Sequence, residues 1–178
     1  MSAAEFSITP LAAGHDRSRF SCGSPTLDRY LQQQASQDVK RRTASCYVLA
    51  EIATSTTAGF YTLSATSLLL AQLPEAMLRK LPRHPLVPAV LLGRLAVATS
   101  FQRRKLGASL LADAAMRVAR AEIAAFALVT DPKDEAARQF YLKHGFAALP
   151  GTDRLFTPVD SIAGFFNRQS FTSPPTPA

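Results

Sequence analysis

The sequence predicts an α/β fold of the α+β kind: a single domain with a mixed, mostly antiparallel sheet of six to seven strands and helices on both faces. Three observations predict it. Seven short segments rich in β-branched, aromatic or aliphatic residues alternate with four segments of helical periodicity within 178 residues. The early strand-like segments follow one another closely, which favours antiparallel pairing, whereas two later ones flank an amphipathic helix, which requires a parallel right-handed crossover. Composition is that of a globular chain, with 47% hydrophobic and 19% charged residues, and excludes a disordered, collagenous or coiled-coil chain.

Each element has its own warrant. Residues 6–11 read as a first strand, followed by a polar loop with His15, Asp16, Arg17 and Arg19. Ser24 is a good N-cap with Pro25 at the first helical position, and Leu27, Tyr30, Leu31 and Ala35 recur at helical spacing, so a helix should run to about residue 39. Residues 46–52 and 60–68 read as adjacent antiparallel strands joined by the Thr/Ser/Ala/Gly stretch 53–59. A short helix at 74–81 is fenced by prolines, and 83–88 form an irregular approach to a strand at 89–97.

That strand is apolar except for Gly93 and Arg94, which places it in the centre of the sheet, covered on both faces. A mid-strand glycine marks a bulge or a close backbone approach. Leu106, Leu110, Leu111, Ala114 and Val118 define one face of a helix ending near residue 120, and residues 124–129 form another buried strand. Asp131 is expected to cap the next helix, with Pro132 at its first position, Asp134 and Glu135 in its first turn and Gly145 as its stop. Residues 146–149 and 154–159 return as two short strands. The domain is expected to span 1–166 and the proline-rich stretch 167–178 to be a disordered tail.

Charge is the unusual entry. The net charge is +7, yet residues 1–120 hold 15 basic and 7 acidic side chains while 121–178 hold 5 and 6. The excess gathers in Lys40, Arg41 and Arg42, in Arg79, Lys80 and Arg83, and in Arg103, Arg104 and Lys105. One such triplet is usually a solvated surface; three point to an anionic partner. No apolar stretch approaches the roughly 20 residues of a membrane span. The N-terminus has neither a basic start nor an apolar h-region, and there are two cysteines, Cys22 and Cys46, so the expectation is a cytoplasmic protein with reduced thiols and no membrane partner.

The junction after the central strand, LAVATSFQRRKLGASLL over residues 95–111, is the chemically informative segment. A buried strand enters a loop with Gln102, Arg103, Arg104, Lys105, Gly107, Ala108 and Ser109 that becomes a helix N-terminus, where free backbone N–H groups and the dipole favour an anion such as pyrophosphate. It is neither a Walker A loop nor a dinucleotide fingerprint. The residues alone leave two readings open: a phosphate site, or an ordinary strand-to-helix turn with an exposed basic loop.

The segment resembles the acetyl-coenzyme A loop of the GCN5-related N-acetyltransferase (GNAT) family, Q/R-x-x-G-x-G/A, matched by Gln102, Arg103, Arg104, Lys105, Leu106 and Gly107. Lys105 stands where the family has its first glycine, and its ammonium either contacts a phosphate or points outward. Residues 137–146, ARQFYLKHGF, are similar to the family's A-x-x-F-Y-x-x-x-G-F segment. The resemblance gives Tyr141 the role of general acid to the departing coenzyme A thiolate, the backbone at Ala96 and Val97 that of orienting the cofactor at a β4–β5 splay, and Asp131 a place beside the pantetheine arm. By packing alone Tyr141 would be a core tyrosine with a satisfied hydroxyl.

A third set of matches, Cys22-Gly23 with Leu27-Asp28 and Tyr30-Leu31, then Gly59-Phe60-Tyr61-Thr62-Leu63-Ser64, Leu73-Pro74-Glu75 and Leu92-Gly93-Arg94-Leu95-Ala96-Val97, resembles the acetyltransferase toxins of bacterial type II toxin–antitoxin modules. That resemblance implies acetylation of the α-amino group of aminoacyl-tRNA, arrest of translation, neutralisation by an antitoxin with a ribbon-helix-helix domain, and self-association as a homodimer. The basic triplets then become candidate tRNA contacts. Arg94 in a central strand needs partners and is a candidate for binding substrate, and His84 sits in a loop that would line the acceptor site. Cys22 and His15 lack a second ligand pair, so no metal is expected. Two competing functions remain open: acetylation of a small amine or protein N-terminus, and a non-enzymatic coenzyme A- or nucleic-acid-binding module.

Overall fold

The computed structural model describes residues 5–162 and residue 164; the expected tail at 167–178 lies outside them. Strands β1 (Phe6–Pro10), β2 (Ser45–Glu51), β3 (Thr57–Leu69), β4 (Leu86–Val97), β5 (Ala127–Thr130), β6 (Ala147–Ala148) and β7 (Leu155–Pro158) form one sheet. Its order is β1-β2-β3-β4-β5-β7-β6. The β1–β2, β2–β3, β5–β7 and β6–β7 pairs are antiparallel and β4–β5 is parallel, as the crossover rule requires. The helices include α1 (Pro25–Arg29), α2 (Ala35–Arg41), α3 (Glu75–Leu78), α4 (Leu106–Ala119) and α5 (Glu135–Lys143). The chain divides into two compact units, one of residues up to 65 with 91–114 and one of 66–90 with residues from 115 onward.

In the first unit, Phe60 anchors the core, packed edge-on to Phe20 at 5.5 Å and stacked with Tyr30 at 6.1 Å. Leu31, Val48, Leu49, Tyr61, Leu92, Leu110 and Leu111 are buried in the same unit. Each large apolar side chain so buried contributes about 1.5–3 kcal/mol. The helix expected at 25–39 reaches Arg41 and is interrupted by a π turn at Tyr30–Gln34. Such a turn frees a backbone carbonyl. Arg17 answers it, donating to the Leu31 carbonyl at 3.0 Å and to Ser36 Oγ at 2.8 Å.

In the second unit, Leu68, Leu73, Val87, Ala89, Ala127, Val129, Leu149 and Phe156 form a core covered by Met77 and Leu78. The helix expected at 74–81 is shorter, because the chain leaves α3 in three-residue turns, Lys80 N to Met77 O and Leu81 N to Leu78 O, ahead of Pro82. Asp134, not Asp131, caps α5, accepting from Ala137 N at 2.8 Å. Asp131 instead takes the Arg154 guanidinium at 2.9 and 3.2 Å. Gly145 ends α5 with φ 92°, as expected of the stop residue. Strand β4 lies between β3 and β5, but Pro88 and Gly93 are exposed, so its cover is less complete than its apolar sequence suggests.

Candidate active site

The end of β4 is held from both sides of its own unit. Ala98 N donates to Ala58 O at 2.8 Å and Thr99 N to Ser21 O at 2.8 Å. A Cβ added to Gly59 would lie 2.8 Å from the Ala96 carbonyl, so only glycine lets β3 approach there. After a 3₁₀ turn at Thr99–Phe101, the Gln102 side chain turns back and donates to Val97 O at 3.1 Å and Cys22 O at 3.2 Å, fixing the loop to the strand end.

Arg103 and Lys105 both adopt left-handed backbone, with φ 65° and 60°. Between them, Arg104 sends its guanidinium away to Glu5 at 2.9 Å, over the rings of Phe6 and Phe101. Gln102 N donates to Thr99 O and Ser109 N to Lys105 O; between these two points, the backbone N–H groups of residues 103–108 have no protein acceptor among the described residues. A run of unpaired N–H groups with positive φ at residues 103 and 105, at the start of a 14-residue helix, is a geometry suited to an anion. Gly107 and Ala108 are half-buried, and Arg103, Lys105 and Ser109 are exposed.

In the second unit, α5 carries Tyr141, 6% exposed, with the rings of Phe140 and Phe146 each 5.2 Å away. Burial pushes its phenol up to about 12 against the opposing pull of its bond with the Thr130 side chain. The hydroxyl therefore keeps its proton at neutral pH and can donate it. His144 caps the helix end, its Nδ1 2.7 Å from the Phe140 carbonyl.

Residues 44–148 match the family model described as the acetyltransferase (GNAT) domain, more than half of the chain. The chain is a GNAT acetyltransferase. It is 35% identical over 142 residues to a tRNA-acetylating toxin of Mycobacterium tuberculosis (strain ATCC 25618 / H37Rv), covering 79% of this chain and 82% of that one. Among solved structures it is similar to AtaT complexed with acetyl-methionyl-tRNAfMet, with TM-score 0.83 and 30% identity over 90% of this chain and 99% of the other. It is also similar to a Tyr-to-Phe mutant of the AtaT toxin bound to the C-terminus of the antitoxin AtaR and acetyl-CoA, with TM-score 0.74 and 28% identity over 91% and 98%.

The remaining expected residues fall at several places in this GNAT chain. Arg94 is half-buried with its guanidinium carbon 3.6 Å from the centroid of the Tyr30 ring. Lys40, Arg41 and Arg42 are exposed at the end of α2, with Arg42 left-handed at φ 59°. Arg79, Lys80, Arg83 and His84 are exposed in the second unit; Arg79 lies 3.6 Å from Glu75. With Leu69, Leu70 and Leu78, the side chains of Arg79, Arg83 and His84 border an open groove of about 760 Å³.

Sequence reasoning missed Tyr61 and Asp113, whose hydroxyl and carboxylate meet at 2.5 Å and tie α4 to β3. The available signal was a carboxylate at helical spacing from Leu106 and Leu110, on the buried stripe of the GNAT helix. Among the described residues no cluster of His, Cys, Asp and Glu could hold a metal, and no helix is long and apolar enough to cross a membrane.

Proposed function

We propose that this chain is an acetyl-CoA-dependent N-acetyltransferase that acetylates the α-amino group of aminoacyl-tRNA, blocks translation, and is neutralised by a cognate antitoxin with a ribbon-helix-helix domain. The observation that carries the reading is the anion receptor at the start of α4: unpaired N–H groups of residues 103–108 with Arg103 and Lys105 exposed beside them. Likeness to a tRNA-acetylating toxin and to AtaT with acetyl-methionyl-tRNAfMet supports the acceptor, and the AtaR complex supports the antitoxin.

Acetyl-CoA, when bound, supplies an activated acetyl thioester. Residues 103–108 bind its phosphates through backbone N–H, and the backbone at Ala96 and Val97 orients it. Asp131 and Thr130, on β5 and its exit, are assigned to the pantetheine arm. Tyr141 donates its proton to the departing thiolate. No side-chain base is assigned, since a free α-amine titrates near 7.7–8.0 and is partly neutral at cellular pH.

Incubating the full chain with labelled acetyl-CoA and charged or uncharged tRNA tests this reading. Label that enters only charged tRNA and leaves with the amino acid on mild alkaline deacylation is the expected result. Labelling of a free amine or a protein N-terminus, with none on charged tRNA, overturns it. Neutralising Lys40, Arg41 and Arg42, or Arg79, Lys80 and Arg83, is expected to weaken binding of charged tRNA and flatten its salt dependence while leaving acetyl-CoA binding unchanged.

A further inference from the structure

Arg94 is an isolated cation in a place that ordinarily demands a partner. It is half-buried on β4, yet among the described residues no carboxylate, carbonyl or hydroxyl accepts from its guanidinium; its one close contact is the face of Tyr30, 3.6 Å away. The nearby acid, Asp38, is already occupied, accepting from the Tyr30 hydroxyl at 2.9 Å. Taking a cation partly out of water without an anion is unfavourable, and a ring face compensates only in part. The fold therefore maintains a charged fork whose donors are unspent among the described residues.

The residues around it prepare that fork for an anion. The Tyr30 ring lies under the guanidinium carbon at 3.6 Å, a contact that holds the cation without using any of its N–H donors, and a guanidinium with free donors can meet an oxyanion with two parallel bonds. Tyr30 itself is fixed by Asp38 and by its stack on Phe60 at 6.1 Å, at the start of the π turn that interrupts the α1–α2 helix. Arg17 acts on the same buried Cys46 thiol as Arg94, so two cations share this neighbourhood. Arg17 is committed to Leu31 O and Ser36 Oγ, which leaves Arg94 as the one with open donors.

Position along β4 indicates which anion. Arg94 precedes Ala96 by two residues, about 7 Å of strand, and shares its pleat face. We propose that Arg94, stacked on Tyr30, is the seat for a phosphodiester near the aminoacylated end of the tRNA acceptor, holding that end beside the strand segment assigned to the thioester. A phosphate fits better than a substrate carboxylate, because the proposed acceptor is a nucleic acid. This inference rests on the proposed function and adds to it the contact that registers the acceptor.

The test uses the full-length chain, Arg94→Gln, Arg94→Lys and Tyr30→Phe, with two acceptors: charged tRNA, and an aminoacyl ester of adenosine, which carries no phosphate. Arg94→Gln should raise KM for charged tRNA about tenfold or more. It should also reduce the slope of log affinity against log salt by about 0.7–0.9, one phosphate's worth. KM for the phosphate-free ester and affinity for acetyl-CoA by calorimetry should stay at wild-type values. Arg94→Lys should recover only part of the tRNA affinity, lacking the fork, and Tyr30→Phe, which loosens the ring and frees Asp38 to take the Arg94 guanidinium, should also raise KM for charged tRNA.

An equal loss with both acceptors, or an unchanged salt slope, overturns the seat and makes Arg94 a support of β4, with acetylation of charged tRNA still standing. Wild-type protein that acetylates no charged tRNA overturns the functional reading and the seat with it.

Discussion

Single residues decide two features of the site. Tyr141 is the proposed acid, and burial, which pushes its phenol up to about 12, keeps its proton in place across the working range. Tyr141→Phe should lower kcat by about 10²–10⁴ with acetyl-CoA affinity unchanged in calorimetry, and the wild-type pH profile should show no falling limb from this residue below about pH 12. Lys105 holds left-handed backbone, φ 60°, where a side chain is strained. Lys105→Gly should relieve about 0.5–1 kcal/mol net of glycine's greater entropy and raise Tm by about 2 °C. A fall in Tm would show that the lysine side chain makes a stabilising contact larger than the strain. The sequence showed that a glycine position was filled by lysine; the torsion explains why glycine suits it.

At the scale of elements, what could be read from sequence was local and what could not was long-range. Strand and helix identities followed from residues within one segment, as in the apolar stripe Leu106, Leu110, Leu111, Ala114 and Val118 of α4. Ends were less legible, because Asp131 and Asp134 are equally good caps by composition, and Arg154, 23 residues from Asp131, takes one of them out of competition. The π turn leaves no periodic trace, since Leu27, Tyr30, Leu31 and Ala35 fit a plain helix almost as well. The cofactor loop was legible as a motif, but the tie of Arg104 to Glu5, 99 residues away, was not. Gly59 belongs to this scale too: Gly59→Ala pushes on the Ala96 carbonyl from 2.8 Å, so it should raise KM for acetyl-CoA more than KM for the acceptor and lower Tm. A variant with both KM values unchanged would show that β4 absorbs the extra methyl without moving its end.

For the whole molecule, three buried acids set an alkaline limit. Burial raises the Cys46 thiol from 9.0 to about 12 and Tyr141 from 10.0 to about 12, and raises Tyr30 as well, where the bond to Asp38 adds to burial. A group whose folded value is raised binds its proton more tightly when folded, so its stabilisation is complete below the unfolded value and is lost as pH climbs through the folded one. The denaturation midpoint should therefore hold from pH 7 to about pH 9 and decline between about pH 9 and 12. A midpoint unchanged at pH 11 would contradict the burial of these groups. The basic excess of residues 1–120 now divides by residue: Arg17 braces a π turn, Arg104 closes on Glu5, and Arg94 waits on a ring. Lys40, Arg41, Arg42, Arg103 and Lys105 are exposed.

The Arg104–Glu5 clasp carries a practical consequence. Through one guanidinium, Glu5 is joined to the loop proposed to receive the phosphates. A change at Glu5 therefore reaches that loop from 99 residues away, so a variant made there for any other purpose needs its acetyl-CoA binding measured again.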